Sequence, residues 1–278
     1  MRSLATSLMF CLILPGACPS AGGSQPPEKQ DPAEEPKKLN EAIEKSIDWY
    51  DMIPEEGAAA LKPVPVLRWR NVVRGQEGEA MMVVWPHGGR PIAMASIYPW
   101  EGKMLHEFDS LSRGGKLMAR ERDRVIWSPQ AAGVEFKELP KSPGPARTAA
   151  ERLRQMKTMA EGFKATMTGW AADSSDREQL RLLPRPLHRY DLNVKNPDPK
   201  LLDGALFAYV LGTDPEVVLI LEAVGTSEKA EWQFAFARAT SGGLEVKRDG
   251  EIVWTAKMHP AGRVATLPHF TMQRILEK

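Results

Sequence analysis

The sequence predicts an α+β protein in which one unit, a helix packed on an antiparallel β-meander, occurs twice as a pseudo-repeat. Three observations predict it. The runs Ala205-Leu206-Phe207-Ala208-Tyr209-Val210-Leu211 and Glu216-Val217-Val218-Leu219-Ile220-Leu221-Glu222-Ala223 flank the breaker cluster Gly212-Thr213-Asp214-Pro215, which reads as a buried hairpin. A similar hairpin lies upstream, Ala80 to Trp85 and Ile92 to Tyr98 around Pro86-His87-Gly88-Gly89-Arg90-Pro91. Each is preceded by apolar residues at helical spacing.

The elements follow in order. Arg2, the apolar stretch Leu4 to Leu14 and the small residues up to Ala21 form the pattern of an export signal over residues 1–21. Its apolar core is far shorter than the roughly 20 residues a spanning helix needs. Export places the mature protein in the periplasm or outside the cell. Cys18 stands where an acylated cysteine would stand, and a lipid there would be the one tie to a membrane. Cys11 and Cys18 both fall in this leader, so the mature chain is expected to hold no disulfide. Residues 22–38 are rich in Pro, Glu and Lys without a large apolar side chain, a composition that cannot offset its ordering entropy, and are expected to be a disordered linker.

The first unit is expected over residues 39–139. Leu39, Ile43, Ile47, Tyr50 and Ile53 mark one face of a helix that ends before Pro54. Val66 to Arg70 is a strand, the first hairpin follows, and two further strands surround Gly114-Gly115, with Gly133 to Leu139 as one more. The second unit is expected over residues 140–257. Thr148 and Glu151 have the spacing of a capping box, and Ala149, Leu153, Met156, Ala160, Phe163 and Met167 continue as a stripe that Gly169 closes. Leu180 to Leu183, the second hairpin, Trp232 to Thr240, Leu244 to Lys247 and Glu251 to Trp254 complete it; residues 258–278 read as an uninformative tail. Leu67-Arg68 matches Leu180-Arg181, Phe108 matches Phe236, and Gly114-Gly115 matches Gly242-Gly243. Central strands apolar on both sides need cover on both faces, a helix on one and the other half on the second, which gives either two antiparallel sheets packed against each other or one long curved sheet with two helices on it.

Charge and motifs exclude several function classes. The chain has 37 basic and 36 acidic residues, and removing residues 1–21 takes away Arg2 alone, so no basic footprint for nucleic acid exists. No P-loop, no dinucleotide fingerprint and no Gly-x-Ser-x-Gly elbow occurs. His87, His188, His259 and His269 have no metal-ligand spacing, and no metal or cofactor is implied. His106-Glu107-Phe108-Asp109-Ser110 is the compact cluster of chemically capable side chains. On a strand, His106 and Ser110 face one way and Glu107 and Asp109 the other, so the commoner reading is a strand edge with a hydrogen-bonded histidine. Arg90, at the hairpin tip, is a second candidate for binding an anion, against a simple turn residue.

Leu67-Arg68-Trp69, Gly89-Arg90-Pro91, His106-Glu107-Phe108 with Ser110-Leu111, Ala150 to Met156, Leu180 to Tyr190 and Asp203 through Ala223 together resemble an uncharacterised family of exported proteins from planctomycete-type bacteria. The resemblance implies export and no assigned activity. Members often carry Pro at the place of Val72 and His at that of Asp109, which weakens a family-wide acid/base role for this strand. Two functions are then expected. The first is an exported, non-enzymatic module that contacts a cell-envelope component or small ligand; the second is a hydrolase using His106, Glu107, Asp109 or Ser110. Convergence of those groups in a concave pocket separates the two.

Overall fold

A computed structural model describes residues 34–70, 78–168, 176–194, 198–226, 229–259 and 264–276. The expected export signal, Cys18 and most of the expected linker lie outside the described residues. The chain runs through α1 (Glu34–Ser46), a 3-10 turn (Ile47–Trp49), β1 (Asp51–Ile53), β2 (Val64–Trp69), β3 (Ala80–His87), β4 (Arg90–Trp100), β5 (Lys103–Ser110), β6 (Met118–Glu121), β7 (Arg124–Trp127) and β8 (Lys137–Glu138). Then come α2 (Ala149–Glu161), β9 (Phe163–Met167), β10 (Glu178–Gln179), β11 (Arg181–Leu182), β12 (His188–Arg189), β13 (Leu201–Leu211), β14 (Asp214–Gly225), β15 (Ala230–Arg238), β16 (Leu244–Arg248), β17 (Glu251–Ala256) and β18 (His269–Ile275).

These strands form four antiparallel sheets. One large sheet has the order β18-β5-β4-β3-β2, and the other β11-β13-β14-β15-β8, with β12 also on β13. Two small sheets have the orders β1-β6-β7 and β10-β9-β16-β17. Alternation along the strands assigns the faces. Met81, Val83, Trp85, Ala95, Ile97 and Phe108 pack with Ile43 and Ile47 of the first helical segment and with Met52, Ala119 and Trp127 of the first small sheet. Phe207, Tyr209, Leu219, Leu221, Phe234 and Phe236 pack likewise with Met156 and Ala160 of α2 and with Phe163, Ala165 and Val246 of the second small sheet. The remaining faces meet each other: Met82, Val84 and Met94 of one large sheet and Leu206, Val218, Ile220 and Ala235 of the other form a single core. The two large sheets thus lie face to face, each backed on its outer side by a helix and a small sheet.

The expected fold class is corrected. Among the described residues the protein is mostly β, 50% strand and 12% helix, with two helices and four sheets, and it is not a duplicated α+β unit of one helix on one meander. The physical reason is strand allocation. The three-stranded meanders β3-β4-β5 and β13-β14-β15 sit in the large sheets, with β2 beside the first and β11 and β12 beside the second, but β1, β6, β7, β9, β10, β16 and β17 leave for the small ones, and one edge of each large sheet is closed by a strand from outside its expected unit. β18, from the supposed tail, pairs with β5 over Lys103 to Asp109, and β8, from the expected first unit, pairs with β15.

Local boundaries shift for local reasons. α1 begins at Glu34, inside the expected linker, and Asp51 to Ile53 is a strand rather than the end of the helix. The capping box forms as predicted, Thr148 Oγ1 accepting from the Glu151 N–H and the Glu151 carboxylate accepting from the Thr148 N–H. The helix stops at Glu161, because Phe163, Ala165 and Met167 alternate with Lys164 and Thr166 and bury as a strand. Gly169 lies outside the described residues.

The inter-sheet core carries a direct test. Ile220, buried at the centre of β14, is expected to cost about 2–5 kcal/mol on truncation to alanine. Ile252, 55% exposed on β17, is expected to cost less than about 0.5 kcal/mol. Urea denaturation of Ile220→Ala and Ile252→Ala reads the difference.

Candidate functional site

β5 distributes the predicted residues to opposite faces. His106 turns to the outer side, under the first helical segment, where its Nδ1 shares a 2.9 Å hydrogen bond with the Tyr50 hydroxyl and Trp49 packs 5.1 Å away, centroid to centroid. Burial holds the His106 pKa down at about 3, and nearby Arg274 adds to the effect. It is a neutral core histidine and takes no part in a site with its neighbours. Glu107 and Asp109 turn to the inner side, toward the second large sheet, and Ser110, at the strand end, accepts from the Ser112 N–H at 3.3 Å.

What Asp109 meets comes from elsewhere in the chain. The β18–β5 register sets His269 opposite Asp109 and Thr271 opposite Glu107. His269 Nδ1 lies 2.8 Å from Asp109 Oδ1, and His269 Nε2 lies 3.2 Å from Ser241 Oγ. A carboxylate only accepts, so Nδ1 carries a ring proton, and when the ring is neutral Nε2 accepts the serine O–H. Ser241 sits in the loop between β15 and β16, and its carbonyl accepts from the His259 N–H at 2.8 Å. The His259 ring packs edge-on against His269, 5.7 Å between centroids. Arg238, ending β15, donates through Nη2 to the Gly242 and Lys257 carbonyls at 3.1 and 2.6 Å and so holds the two segments flanking Ser241 and His259 together.

Asp109, His269, His259, Arg238 and Ser110 border a cavity of about 510 Å³. Phe236, Trp254, Met258 and Leu267 make its apolar wall, and Lys257 lies at its edge. Ser241 is 8% exposed and is not on that wall; His269 stands between it and the cavity.

Burial tunes the acids around this wall. It pushes the Glu107 carboxyl up to about 7, against the lowering effect of His269 and with the help of Asp109. Asp109 is also raised by burial, opposed by His269, Arg238 and His259. For His269 burial works against the cation, but the Asp109 and Glu107 carboxylates outweigh it and the pKa rises.

Arg90 lies apart from this cavity. Its guanidinium is already spent on the protein's own anion: Nε and Nη2 donate to Glu222 at 2.7 and 2.9 Å, and Nη1 to Asp198 at 3.1 Å. Arg113 Nη2 and the Tyr190 O–H donate to the same fully buried Glu222 at 2.8 and 3.0 Å. This cluster ties the β3–β4 turn to the opposite large sheet.

No group of three or more His, Cys, Asp or Glu residues able to hold a metal ion exists among the described residues. No family model, curated protein or solved structure matches the chain.

Of the residues picked from sequence, the structure brings Asp109 and Ser110 to one cavity, keeps Glu107 beside it and sends His106 and Arg90 elsewhere. Sequence reasoning missed His269, Ser241, His259 and Arg238. For His269 a signal existed, because His269-Phe270-Thr271-Met272 alternates as a strand does. For Ser241 none did.

The raised pKa values make stability depend on pH. Glu107 holds its proton in the folded state up to about 7 and in the unfolded chain to about 4.5, so its stabilisation is full below the lower value and is lost as pH rises through the upper one. His269 and Asp109, also raised, act in the same direction. The loss attached to Glu107 is on the order of 2–3 kcal/mol. Denaturation at pH 5.5 and 8.5 is expected to show Glu107→Gln losing much less stability over that interval than the parent protein; equal losses would remove the assignment.

Proposed function

We propose that the protein acts outside the cytoplasm as a binding module for a small apolar ligand that carries an acidic or hydrogen-bond-accepting group. The observation that carries the reading is the cavity of about 510 Å³, whose size suits a small molecule and whose wall combines Phe236, Trp254, Met258 and Leu267 with Arg238, His259 and His269. Apolar walls supply affinity through burial, and a few convergent polar groups fix orientation. The site in an extracytoplasmic protein follows from the leader-like residues 1–21, whose export belongs to the same proposal.

A hydrolase assembled from His106, Glu107, Asp109 and Ser110 is not what the geometry supports. His106 lies on the other face of β5, packed with Tyr50 and Phe108, and does not line the cavity.

The probe is 8-anilinonaphthalene-1-sulfonate, an apolar aromatic anion whose fluorescence rises on binding. It is expected to bind the native protein with one saturable site. Met258→Trp, which fills the cavity, is expected to weaken it at least about tenfold, a loss of about 1.4 kcal/mol. His106→Ala is expected to leave the affinity unchanged. Binding that ignores Met258→Trp would place the dye elsewhere and overturn the proposal.

A further inference from the structure

Neighbouring strands β5 and β18 each bury a histidine, and only one of the two can take a proton without losing a bond. His106 and His269 are 0% and 4% exposed. His106 Nδ1 meets the Tyr50 hydroxyl, but its Nε2 is buried with no hydrogen-bond partner among the described residues. A proton there would leave a charged N–H without an acceptor, so this ring stays neutral. His269 is bonded on both sides, Nδ1 to Asp109 Oδ1 at 2.8 Å and Nε2 to Ser241 Oγ at 3.2 Å. The carboxylate accepts from Nδ1 in either state, while a hydroxyl donates to Nε2 of the neutral ring or accepts from the N–H of the charged one. Protonation changes the charge of His269 and leaves both bonds in place.

We propose that the cavity binds its anionic ligand together with a proton held by the Asp109–His269 pair, so that acid favours loading and alkali favours release. The proposal rests on the cavity as the ligand site and adds its regulation. Asp109 and His269 border the cavity, whereas Ser241 lies behind the ring and serves only as its second partner. Neither nitrogen of His269 is left to bond a ligand; the ring acts through its charge. With the ring neutral the pair carries one net negative charge, which repels an anion in a low-dielectric cavity, and with the ring protonated that repulsion is gone.

The other charged and titratable groups around the ring fix the sign. Arg238 of β15 and Lys257 and His259 beyond β17 are the basic ones, and Glu107 beside Asp109 and Glu135 on the cavity lining are the acidic ones. Arg238 donates through Nη2 to two carbonyls and is a fixed cation, not a titrating one. Burial opposes the His269 cation, but Asp109 and Glu107 outweigh it and raise its pKa above the ordinary histidine value. Glu107, pushed up to about 7 by burial, takes its own proton as pH falls. Both protonations make the wall less negative, so their effects on an anion add. By reciprocity, a bound anion draws the proton onto the ring with the same coupling.

Two dyes that share their rings separate charge from apolar fit: 8-anilinonaphthalene-1-sulfonate, whose sulfonate stays ionised, and N-phenyl-1-naphthylamine, which is uncharged. Each is titrated into the full chain at pH 5.5 and at pH 9. The anionic dye is expected to bind about tenfold more tightly at the lower pH, and the neutral dye to bind equally at both. His269→Gln, whose amide can keep both bonds, is expected to lose most of this dependence, and Glu107→Gln to reduce it without removing it. Because such variants can fail to fold, the His269 ring is also followed in the parent protein by nuclear magnetic resonance of labelled histidine. Its pKa is expected to rise when the anionic dye binds and to hold when the neutral dye binds. An equal response of the two dyes to pH, or a His269 titration that the anionic dye leaves in place, overturns the proposal. Met258→Trp keeps the two readings apart: dye that ignores this substitution removes the site, whereas dye weakened by it but insensitive to pH removes the proton coupling alone.

Discussion

Two sheets whose central strands are oily on both sides cannot stand in water unless every face is covered, and this constraint organises the whole molecule. One face of each large sheet is covered by a helix and a small sheet, and the other by the opposite large sheet through Met82, Val84, Leu206, Val218 and Ile220. Backbone groups at the sheet edges must also be paired or solvated. β18 closes one edge against β5, and β8 closes another against β15. The candidate site is a by-product of the first closure.

Polar groups inside such a sandwich persist only when they find one another. There are two solutions here. Glu222, buried to 0% exposure, is surrounded by Arg90, Arg113 and Tyr190, so its charge is neutralised by partners with no room left for a ligand. Asp109 is satisfied by one histidine, with Arg238 and His259 nearby, and this group remains on the wall of a cavity. The first arrangement fastens the sheets together. The second leaves a buried acid, a base and a hydroxyl in line beside an open space, where burial raises Asp109 and Glu107, those two carboxyls in turn raise His269, and the low dielectric strengthens the interactions among them.

Much of this was legible in the residues, and the parts that were not share a cause. Both hairpins and the capping box of α2 were legible because each depends on a few adjacent side chains. Alternation also told correctly that His106 and Asp109 would part company. The class was misread because helical spacing from Ala149 to Met167 overlaps the strand period at Phe163, Ala165 and Met167, and because nothing local says to which of four sheets a strand will go. The site was half legible. Asp109 was singled out for its chemistry, but its partner lies 160 residues away on a segment taken for a tail, and Ser241 sits in a Gly-rich loop with no pattern of its own. Sequence spacing carries no trace of a contact made by edge pairing.

The central claim is that the fold holds His269 between Asp109 and Ser241 with the proton on Nδ1. Nuclear magnetic resonance of the protein with isotopically labelled histidine tests it most directly, because the two ring nitrogens shift differently when protonated. At a pH above the raised His269 pKa, the account predicts a neutral His269 ring with the hydrogen on Nδ1, seen as a slowly exchanging low-field proton that disappears in Asp109→Asn. A His269 ring protonated on Nε2, or one that exchanges and titrates as a solvent-exposed imidazole does, would contradict it.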